Sequence, residues 1–591
     1  DYMVNESIRA FLKTQLSEPG AGFKDEQEAE KKIAPLFADH ADADHLKKEE
    51  KNYILQKLEQ IKILDPACGS GAFPMGILHK LTQLHEALGT VKSSYELKKD
   101  ILSRNIYGVD IMPMAVEIAR LRAWLSLVLE EDYKPNDRVH NFGVKPLPNL
   151  DFKFVCANSL IDMPQNGYVG NMAENNLKQF ETLTQQYFNA STGEKTILRE
   201  EIEKCINRIS EIHNKAIQQW QLQIKKEKDF SASAKLKNMQ LKQESYERQQ
   251  RQWQSYKNIF IEKRVDFFNI KYFFPSVKEG FDVVIGNPPY VQMQKNNGFL
   301  AEQLKGAGYL TYERTGDVYA LFYEFGFKVL KPNAVHVFIT SSQWLKANYG
   351  KSLRKLFLSK NPIKLIALGP GMFETAVVDT NILIAKNEAN KKQLQGSVVV
   401  KPEQINNLSS LAFQPMPYVD AENWAILNPL SQSINEKIKA KGKPLRKWEI
   451  QINFGIKTGY NEAFIIDEAK RKELIKSDAK SAEIINLVLR GRDIKKYFTE
   501  WNGGYLISTF PSLHTDISKY KAVKKYLEEF LPKINQTGET FINKEGKTET
   551  TRKKTAHKWF ETQDPIGYRE EFAKEKIIWK RIGSQLRFSY S

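Results

Sequence analysis

The chain is poor in the residues that build metal centres and disulfide frameworks. Among 591 residues there are three cysteines, Cys68, Cys156 and Cys205, and nine histidines. The cysteines stand at neither zinc-ligand nor disulfide-scaffold spacing, so no metal is expected and a reducing cytoplasm fits. No apolar run approaches the roughly 18 residues of a membrane-spanning helix, and no signal-peptide pattern occurs, so no membrane partner is expected. Acidic residues are also in deficit. Lys and Arg number 88 against 71 Asp and Glu, a net charge of +17, and a basic surface of that size points to a polyanionic partner. At roughly 100–200 residues per domain, the length predicts a few domains.

What is present concentrates at strand ends. The apolar run Phe281–Gly286 stops at Asn287-Pro288-Pro289-Tyr290. Such a run, closed by Gly and two prolines, reads as a buried parallel strand finishing at its carboxyl edge, where open α/β sheets bind ligands. Two prolines fix two φ angles and remove two N–H donors. The turn therefore presents an amide side chain, unpaired carbonyls and an aromatic face, which together suit a planar amino group. Upstream, the strand Ile61–Asp65 leads through Pro66-Ala67-Cys68-Gly69-Ser70-Gly71-Ala72-Phe73 into a helix over Met75–Leu81. Gly69 and Gly71 allow close backbone approach, and the helix start adds exposed N–H groups. Asp65 would repel a pyrophosphate, so a ligand with an amino group and a positive centre fits better than a dinucleotide.

A second strand, Asn105–Asp110, ends in an acid of the kind that binds ribose hydroxyls. Its distance from the glycines exceeds the about 20 residues of the dinucleotide rule, because a helical segment around Tyr95–Ser103 intervenes. A third strand, Phe152–Ala157, ends in Asn158-Ser159-Leu160. Strand ends at Asp65, Asp110, Asn158 and Asn287 thus define one polar crevice.

In this order, Asp-Pro-Ala-Cys-Gly-Ser-Gly-Ala-Phe, Gly-Val-Asp-Ile, Asn-Ser-Leu and Asn-Pro-Pro-Tyr resemble S-adenosylmethionine-dependent DNA adenine-N6 methyltransferases of the gamma order. The resemblance is to the Eco57I-type, type IIG-like restriction-modification methylases, prokaryotic and cytoplasmic, and covers roughly Asp1–Asn387 strongly. It implies that Asp65, Ala67, Gly69, Gly71 and Phe73 hold the methionine part of the cofactor. Asp110 would take its ribose hydroxyls, with Ile111 against the adenine ring. Asn158 and Ser159 would lie near the adenine amine, where the family more often has Asp. The remaining implied residues are Asn287, Pro288, Pro289 and Tyr290 at the target base, with Phe373 as a second aromatic. Asp317 resembles a family position near the cofactor pocket, and an ordinary helix N-cap is the alternative.

The chemistry agrees. The exocyclic nitrogen of adenine is a weak nucleophile because its lone pair is delocalised into the ring. Accepting both its hydrogens, at the Asn287 side chain and the Pro288 carbonyl, would localise that pair. The base must first leave the duplex, and Tyr290 offers a stacking face for it.

The fold class expected is α/β: a Rossmann-like, mostly parallel methyltransferase sheet with a long helical insertion, followed by an α+β target-recognition domain. Residues 1–163 and 265–400 would form the catalytic domain, 164–264 a basic, coiled-coil-like insertion of two long helices, and 401–591 the recognition domain, C-terminally truncated. Over His213–Arg264 there are 12 Lys and Arg against 5 Asp and Glu, which fits either a solvated hairpin or a phosphate-backbone arm. Trp448–Ile466 alternates like a β-hairpin. Arg490, Arg492, Lys495 and Lys496, in a basic turn with Tyr497, are candidates for contact with double-stranded DNA. The chain starts inside an apparent helix, without the family's Tyr-Thr-Pro lid motif, and reads as a fragment; any nuclease module would lie outside it. Two rival readings stand beside DNA methylation. A protein glutamine-N5 methyltransferase could hold an amide nitrogen in the same turn. The chain could also be a DNA-binding subunit with inactive methylation.

Overall fold

Parallel strands buried on both faces need apolar residues on both, and the central strands here have them. The computed structural model describes residues 1–591 except 19, 21, 39, 132, 133, 135, 137–149, 151, 164–167, 191, 229–233, 296, 297, 370–378, 417, 419, 425–428, 544 and 581–584. The chain divides into two units, Asp1–Ala440 and Lys441–Ser591.

In the first unit, helices α1 (Tyr2–Leu16), α2 (Glu26–Ile33) and α3 (Lys48–Gln60) precede β1 (Ile63–Asp65). Then follow α4 (Ala72–Ala87), α5 (Ser94–Arg104), β2 (Ile106–Asp110), α6 (Pro113–Val128) and β3 (Phe154–Cys156). Three helices, α7 (Tyr168–Asn189), α8 (Thr192–Lys228) and α9 (Ala234–Ser255), and the short α10 (Ile270–Phe273) lead to β4 (Phe281–Gly286). The unit continues with α11 (Phe299–Lys305), α12 (Tyr319–Val329), β5 (Leu330–Ser341), α13 (Gly350–Ser359), β6 (Asn361–Gly369) and β7 (Thr380–Lys386). It closes with β8 (Gln395–Val398), β9 (Gln414–Pro415) and α14 (Pro429–Lys441).

The nine strands form one sheet in the order β3-β2-β1-β4-β5-β7-β6-β8-β9. Strands β3, β2, β1, β4 and β5 are mutually parallel, and β7 runs antiparallel between β5 and β6. The order reverses direction between β1 and β4, which makes the gap above their carboxyl ends the topological switch point.

Period-two alternation sorts the strand side chains onto two faces. Ile63, Ile106, Val283 and Val337 pack with Ile8, Leu12, Leu58, Leu81 and Ala119 of the N-terminal helices and α6. Leu64, Val109, Val284 and Phe338 pack on the other side with Phe180, Ile206, Ile209 and Trp253 of α7–α9, and with Tyr323 and Phe357 of α12 and α13. The insertion therefore has three helices where the sequence predicted two, and its root covers one face of the sheet. No helix among the described residues is long and apolar enough to cross a membrane.

The second unit contains α15 (Asn461–Phe464), β10 (Ile465–Ile466), α16 (Glu468–Ser477), β11 (Ile485–Leu487), β12 (Tyr505–Ile507) and α17 (Lys521–Glu528). The hairpins β13 (Thr540–Ile542) with β14 (Thr548–Thr550), and β15 (Ile577–Trp579) with β16 (Phe588–Tyr590), complete it. Phe464, Leu506, Ile507, Val523 and Leu527 form its core. The buried Arg552 guanidinium donates to the carbonyls of Ile534, Thr458, Glu561 and Trp559 and lies 5.0 Å from the Phe464 ring. The hairpin predicted over Trp448–Ile466 is not formed. Residues 449–460 have no ladder partner and Asn461–Phe464 is a helical turn. The alternating Trp448, Ile450, Ile452 and Phe454 are accordingly 50–69% exposed.

Candidate active site

The strand–turn–helix around Asp65 is built by backbone hydrogen bonds that seat the turn on the neighbouring strand. Cys68 N–H donates to the Val109 carbonyl of β2 at 3.0 Å, and Gly69 N–H donates to the Asp110 carboxylate at 2.8 Å. Gly69 and Gly71 have φ of +52° and +83°, conformations that residues with a Cβ rarely adopt. Gly71 caps α4 against Ala119 of α6, where an added Cβ would lie 3.1 Å from the Ala119 Cβ. Phe73, in the first turn of α4, is half-buried against the core.

Asp65 ends β1 and is only 1% exposed. Its Oδ1 accepts from Ala67 N–H at 3.1 Å. Burial, with the Asp110 charge adding to it, pushes its carboxyl up to about 8. The second carboxylate, Asp110, is half-exposed and accepts from two backbone N–H groups, Gly69 at one oxygen and Met112 at the other (2.9 Å). Ile111 beside it is 44% exposed.

At the end of β3, Asn158 Oδ1 accepts from Leu160 N–H at 3.2 Å and caps its own turn. The Ser159 hydroxyl is buried and donates to the Pro66 carbonyl at 2.7 Å. Ser159 thus ties the β3 turn to the β1 turn.

Across the switch point, β4 delivers Asn287-Pro288-Pro289-Tyr290. Asn287 and Pro289 are exposed, Pro288 is buried and Tyr290 is half-buried. The Tyr290 hydroxyl donates to the Ile339 carbonyl of β5 at 3.2 Å, and its ring meets Tyr319 edge-on at 5.9 Å. Burial raises the Tyr290 phenol above its ordinary range.

Gly286 joins the two halves. A Cβ on Gly286 would lie 2.8 Å from Asp65 Oδ1 and 3.5 Å from the Phe338 ring. The buried carboxyl group is therefore packed against the backbone that precedes Asn287. The sequence reading did not single out Gly286, because a strand-ending glycine has too many ordinary explanations.

Asp317, named from the sequence, sits with two tyrosines that the sequence did not point to. The Tyr349 hydroxyl donates to Asp317 at 2.9 Å, and the Tyr319 and Tyr349 hydroxyls are 2.9 Å apart. Asp317 is half-buried, and burial raises its carboxyl group above the usual range. It precedes α12 and pairs with Gln292 in an isolated bridge; the residue at the helix N-cap is Val318. Val318 N–H donates to Val291 and Met293 N–H to Gly316, which fastens the segment after Tyr290. The signal available in the sequence was Asp317-Val318-Tyr319 at a helix start.

Asp65, the Ala67–Phe73 turn, Asp110, Asn158, Ser159 and Asn287–Tyr290 therefore meet along the carboxyl edge of the sheet. Phe373 lies outside the described residues. In the second unit, Arg490, Arg492, Lys495 and Lys496 share one turn. Arg490 N–H donates to the buried Asp493 carboxylate, Lys495 pairs with Glu500 at 3.3 Å, and Lys496 lies 5.5 Å from the Tyr497 ring.

Residues 104–369 match the Eco57I restriction-modification methylase family, and residues 41–161 match the MmeI DNA-methyltransferase domain. The stretch that holds Asp110, Asn158 and Asn287–Tyr290 is thus similar to the Eco57I methylases. The putative type II restriction enzyme and methyltransferase RM.MjaORFECS2P of Methanocaldococcus jannaschii is 28% identical over 408 residues, 60% of this chain and 32% of that protein. The adenine-specific methyltransferase BrxX of Escherichia coli is 23% identical over 503 residues, 76% of this chain and 38% of that protein. The chain thus spans about a third of the length of these curated relatives. The solved structure of the type IIL restriction-modification enzyme MmeI in complex with DNA overlaps 82% of this chain and 49% of that one, with 13% identity and a TM-score of 0.44.

Proposed function

We propose that this chain is the methyl-transferring part of a DNA methyltransferase of restriction-modification type, acting from S-adenosylmethionine on N6 of an adenine flipped out of duplex DNA. One observation carries the reading: the Asn287-Pro288-Pro289-Tyr290 turn stands at the switch point with its preceding glycine against the buried Asp65 carboxyl. The relatives named for restriction and adenine-specific methylation support it.

The residues suit the cofactor. A carboxyl buried with one backbone donor lacks a counter-charge among the described residues, and a ligand ammonium would supply it. Each Asp110 oxygen keeps lone pairs for hydroxyl donors beyond its one backbone contact. The exposed Ile111 offers an apolar surface to a planar ring. When bound, S-adenosylmethionine supplies an activated methyl group, so the protein need not form a covalent intermediate. Ser159 holds the β1 and β3 turns together at the same edge, and Asn158 caps the β3 turn.

Asn287 Oδ1 and the Pro288 carbonyl accept the two hydrogens of the target amino group and direct its lone pair. No titrating base is needed to start; the work is orientation and fixed dipoles. Tyr290 stacks on the extracted base, and its ring is oriented beforehand by Ile339 and Tyr319. Phe373 is assigned as the second aromatic from the family resemblance. Arg490, Arg492, Lys495 and Lys496 are assigned to DNA contact. Residues 1–163 with 265–400, 164–264 and 401–591 are assigned as catalytic, inserted and recognition segments.

Transfer of label from S-adenosylmethionine to duplex DNA, with the wild type and Asn287→Ala, tests this. Loss of about 10²–10³-fold in turnover is expected on removing a preorganised hydrogen-bonding group, with cofactor binding retained. Label in protein would move the substrate to a glutamine amide. Equal DNA labelling by both proteins would end the assignment of Asn287.

A further inference from the structure

The helical insertion has a charge distribution that neither the sheet nor the catalytic turn requires. Its longest helix, α8, has 37 residues, or about 55 Å at 1.5 Å per residue. The first half is woven into the fold: Ile202, Cys205, Ile206 and Ile209 belong to the sheet-covering core, opposite Trp253 and Tyr256 of the return path. Its charges balance. Residues 194–213 hold 4 Lys and Arg against 5 Asp and Glu, and Arg199–Glu203 and Lys204–Glu201 are ion pairs at 2.9 and 2.8 Å.

Beyond His213 the character changes. Residues 214–251 carry 9 Lys and Arg against 4 Asp and Glu. Lys215, Lys225, Lys226, Lys237, Lys242 and Arg251 are exposed and enter no salt bridge among the described residues. Ala216, Ile217 and Ile224 are buried, yet lie outside the sheet-covering core. The hairpin is fastened to itself instead: Gln250 donates to Asn214 at 2.6 Å, and Lys242 lies over Trp220 at 5.0 Å. A solvated hairpin stabilised by its own charges would intersperse signs and pair them at i,i+3 or i,i+4, as the first half does. Among the described residues, the six named cations of the second half enter no salt bridge, which costs repulsion unless an anion answers it.

The change occurs at a defined place. Arg248, nearly level with Asn214 and Gln250, lies against Gly306 at the end of α11; a Cβ there would be 3.4 Å from Arg248 Nη1. Gly306 belongs to the segment that follows Asn287-Pro288-Pro289-Tyr290. The cationic half of the hairpin therefore begins beside the loop of the target-base turn. It continues for about 20 Å along α8, a length of duplex that carries about a dozen phosphate charges.

We infer that the distal α8–α9 hairpin is a phosphate-backbone arm, holding duplex DNA next to the target-base turn without reading its sequence. This rests on the DNA reading above and adds a residue-level partner surface to it. Lys225, Lys226 and Lys237 are exposed on the distal hairpin, and Lys215 shares the α8 stripe of Lys226, eleven residues on.

The test compares two triple variants of the full chain with equal charge change. One is distal: Lys225→Gln, Lys226→Gln and Lys237→Gln. The other is proximal: Lys178→Gln, Lys195→Gln and Lys204→Gln. Binding to a non-cognate duplex is measured against salt concentration, with far-ultraviolet circular dichroism as the folding check and the three single distal variants as back-up. The distal triple should flatten the log K against log salt slope by about 2.7, or about 0.9 per phosphate contact, and raise KM for DNA far more than it lowers kcat. The proximal triple should keep the wild-type slope. An unchanged slope in the distal triple, or an equal loss in both triples, overturns the arm. Failure of the wild type to bind any duplex would instead overturn the DNA reading itself, and the arm with it.

Discussion

Lowering the pH from 7 to 6 should weaken cofactor binding about ninefold, and Asp65 is the group responsible. Its carboxyl is buried beside Gly286 and pushed up to about 8, so a ligand ammonium that needs the carboxylate must first displace a proton. With a pKa of about 8 the ionised fraction is about one in eleven at pH 7 and about one in a hundred at pH 6, close to the limiting tenfold, or 1.36 kcal/mol, per unit. Calorimetric titration with S-adenosylmethionine at both pH values reads this directly. Repeating the titration in buffers of different ionisation enthalpy should show nearly one proton released per ligand bound at pH 7. Asp65→Asn should remove both the pH dependence and the proton release. In the free protein the linkage has the opposite sign. The folded state holds the Asp65 proton across the window from about 4 to about 8, so that contribution to stability is complete at the acidic end and is lost as the pH rises towards 8. Wild-type affinity that stays flat between pH 6 and 7, or an Asn variant that keeps the slope, would refute the role given to Asp65.

Three further outcomes follow from the same geometry. Gly286→Ala drives a Cβ to 2.8 Å from Asp65 Oδ1, and should cost about 1–3 kcal/mol in urea unfolding while weakening cofactor binding; wild-type affinity in this variant would show that the contact is incidental. Tyr349→Phe removes the hydroxyl between Asp317 and Tyr319. It should lower stability by about 1–3 kcal/mol and reduce kcat through a loosened Tyr290, with cofactor affinity unchanged; an unaltered kcat would separate the network from the site. Gly326→Ala places a Cβ 2.2 Å from the buried His336 ring, which packs on Tyr323 and Phe327, so chemical unfolding should shift by several kcal/mol where overpacking cannot be relieved; wild-type stability would show that the α12–β5 contact yields easily.

Much of the fold was legible because its strands and helices carry strong local signals. Phe281–Gly286 occupies the predicted span, since a two-sided apolar run closed by Gly and two prolines favours one conformation. Trp448–Ile466 misled for the converse reason. Alternation reports only that a segment could lie on a sheet, and a ladder exists only where a second strand supplies the hydrogen bonds. The helical insertion was readable as helix, but not as a wall of the sheet core, because Ile202 to Ile209 look the same whether they pack on a partner helix or on strands.

The sequence by itself determined the chemical inventory: which strands end in Asp65, Asp110, Asn158 and Asn287, the rigid double-proline turn, and the excess of positive charge. These are properties of residue type and short spacing, and no packing can remove them. Only the tertiary structure decided what those groups mean to one another. Pairing β1 with β4 at the switch point brings Gly286 against a carboxyl far away in sequence. Burial there, and not the Asp side chain itself, holds the Asp65 proton. The Tyr290 ring is likewise oriented by Ile339, Tyr319 and, through it, Tyr349. Electrostatics and packing depend on neighbours within a few ångströms, and those neighbours come from strands and loops that the chain order alone does not place side by side.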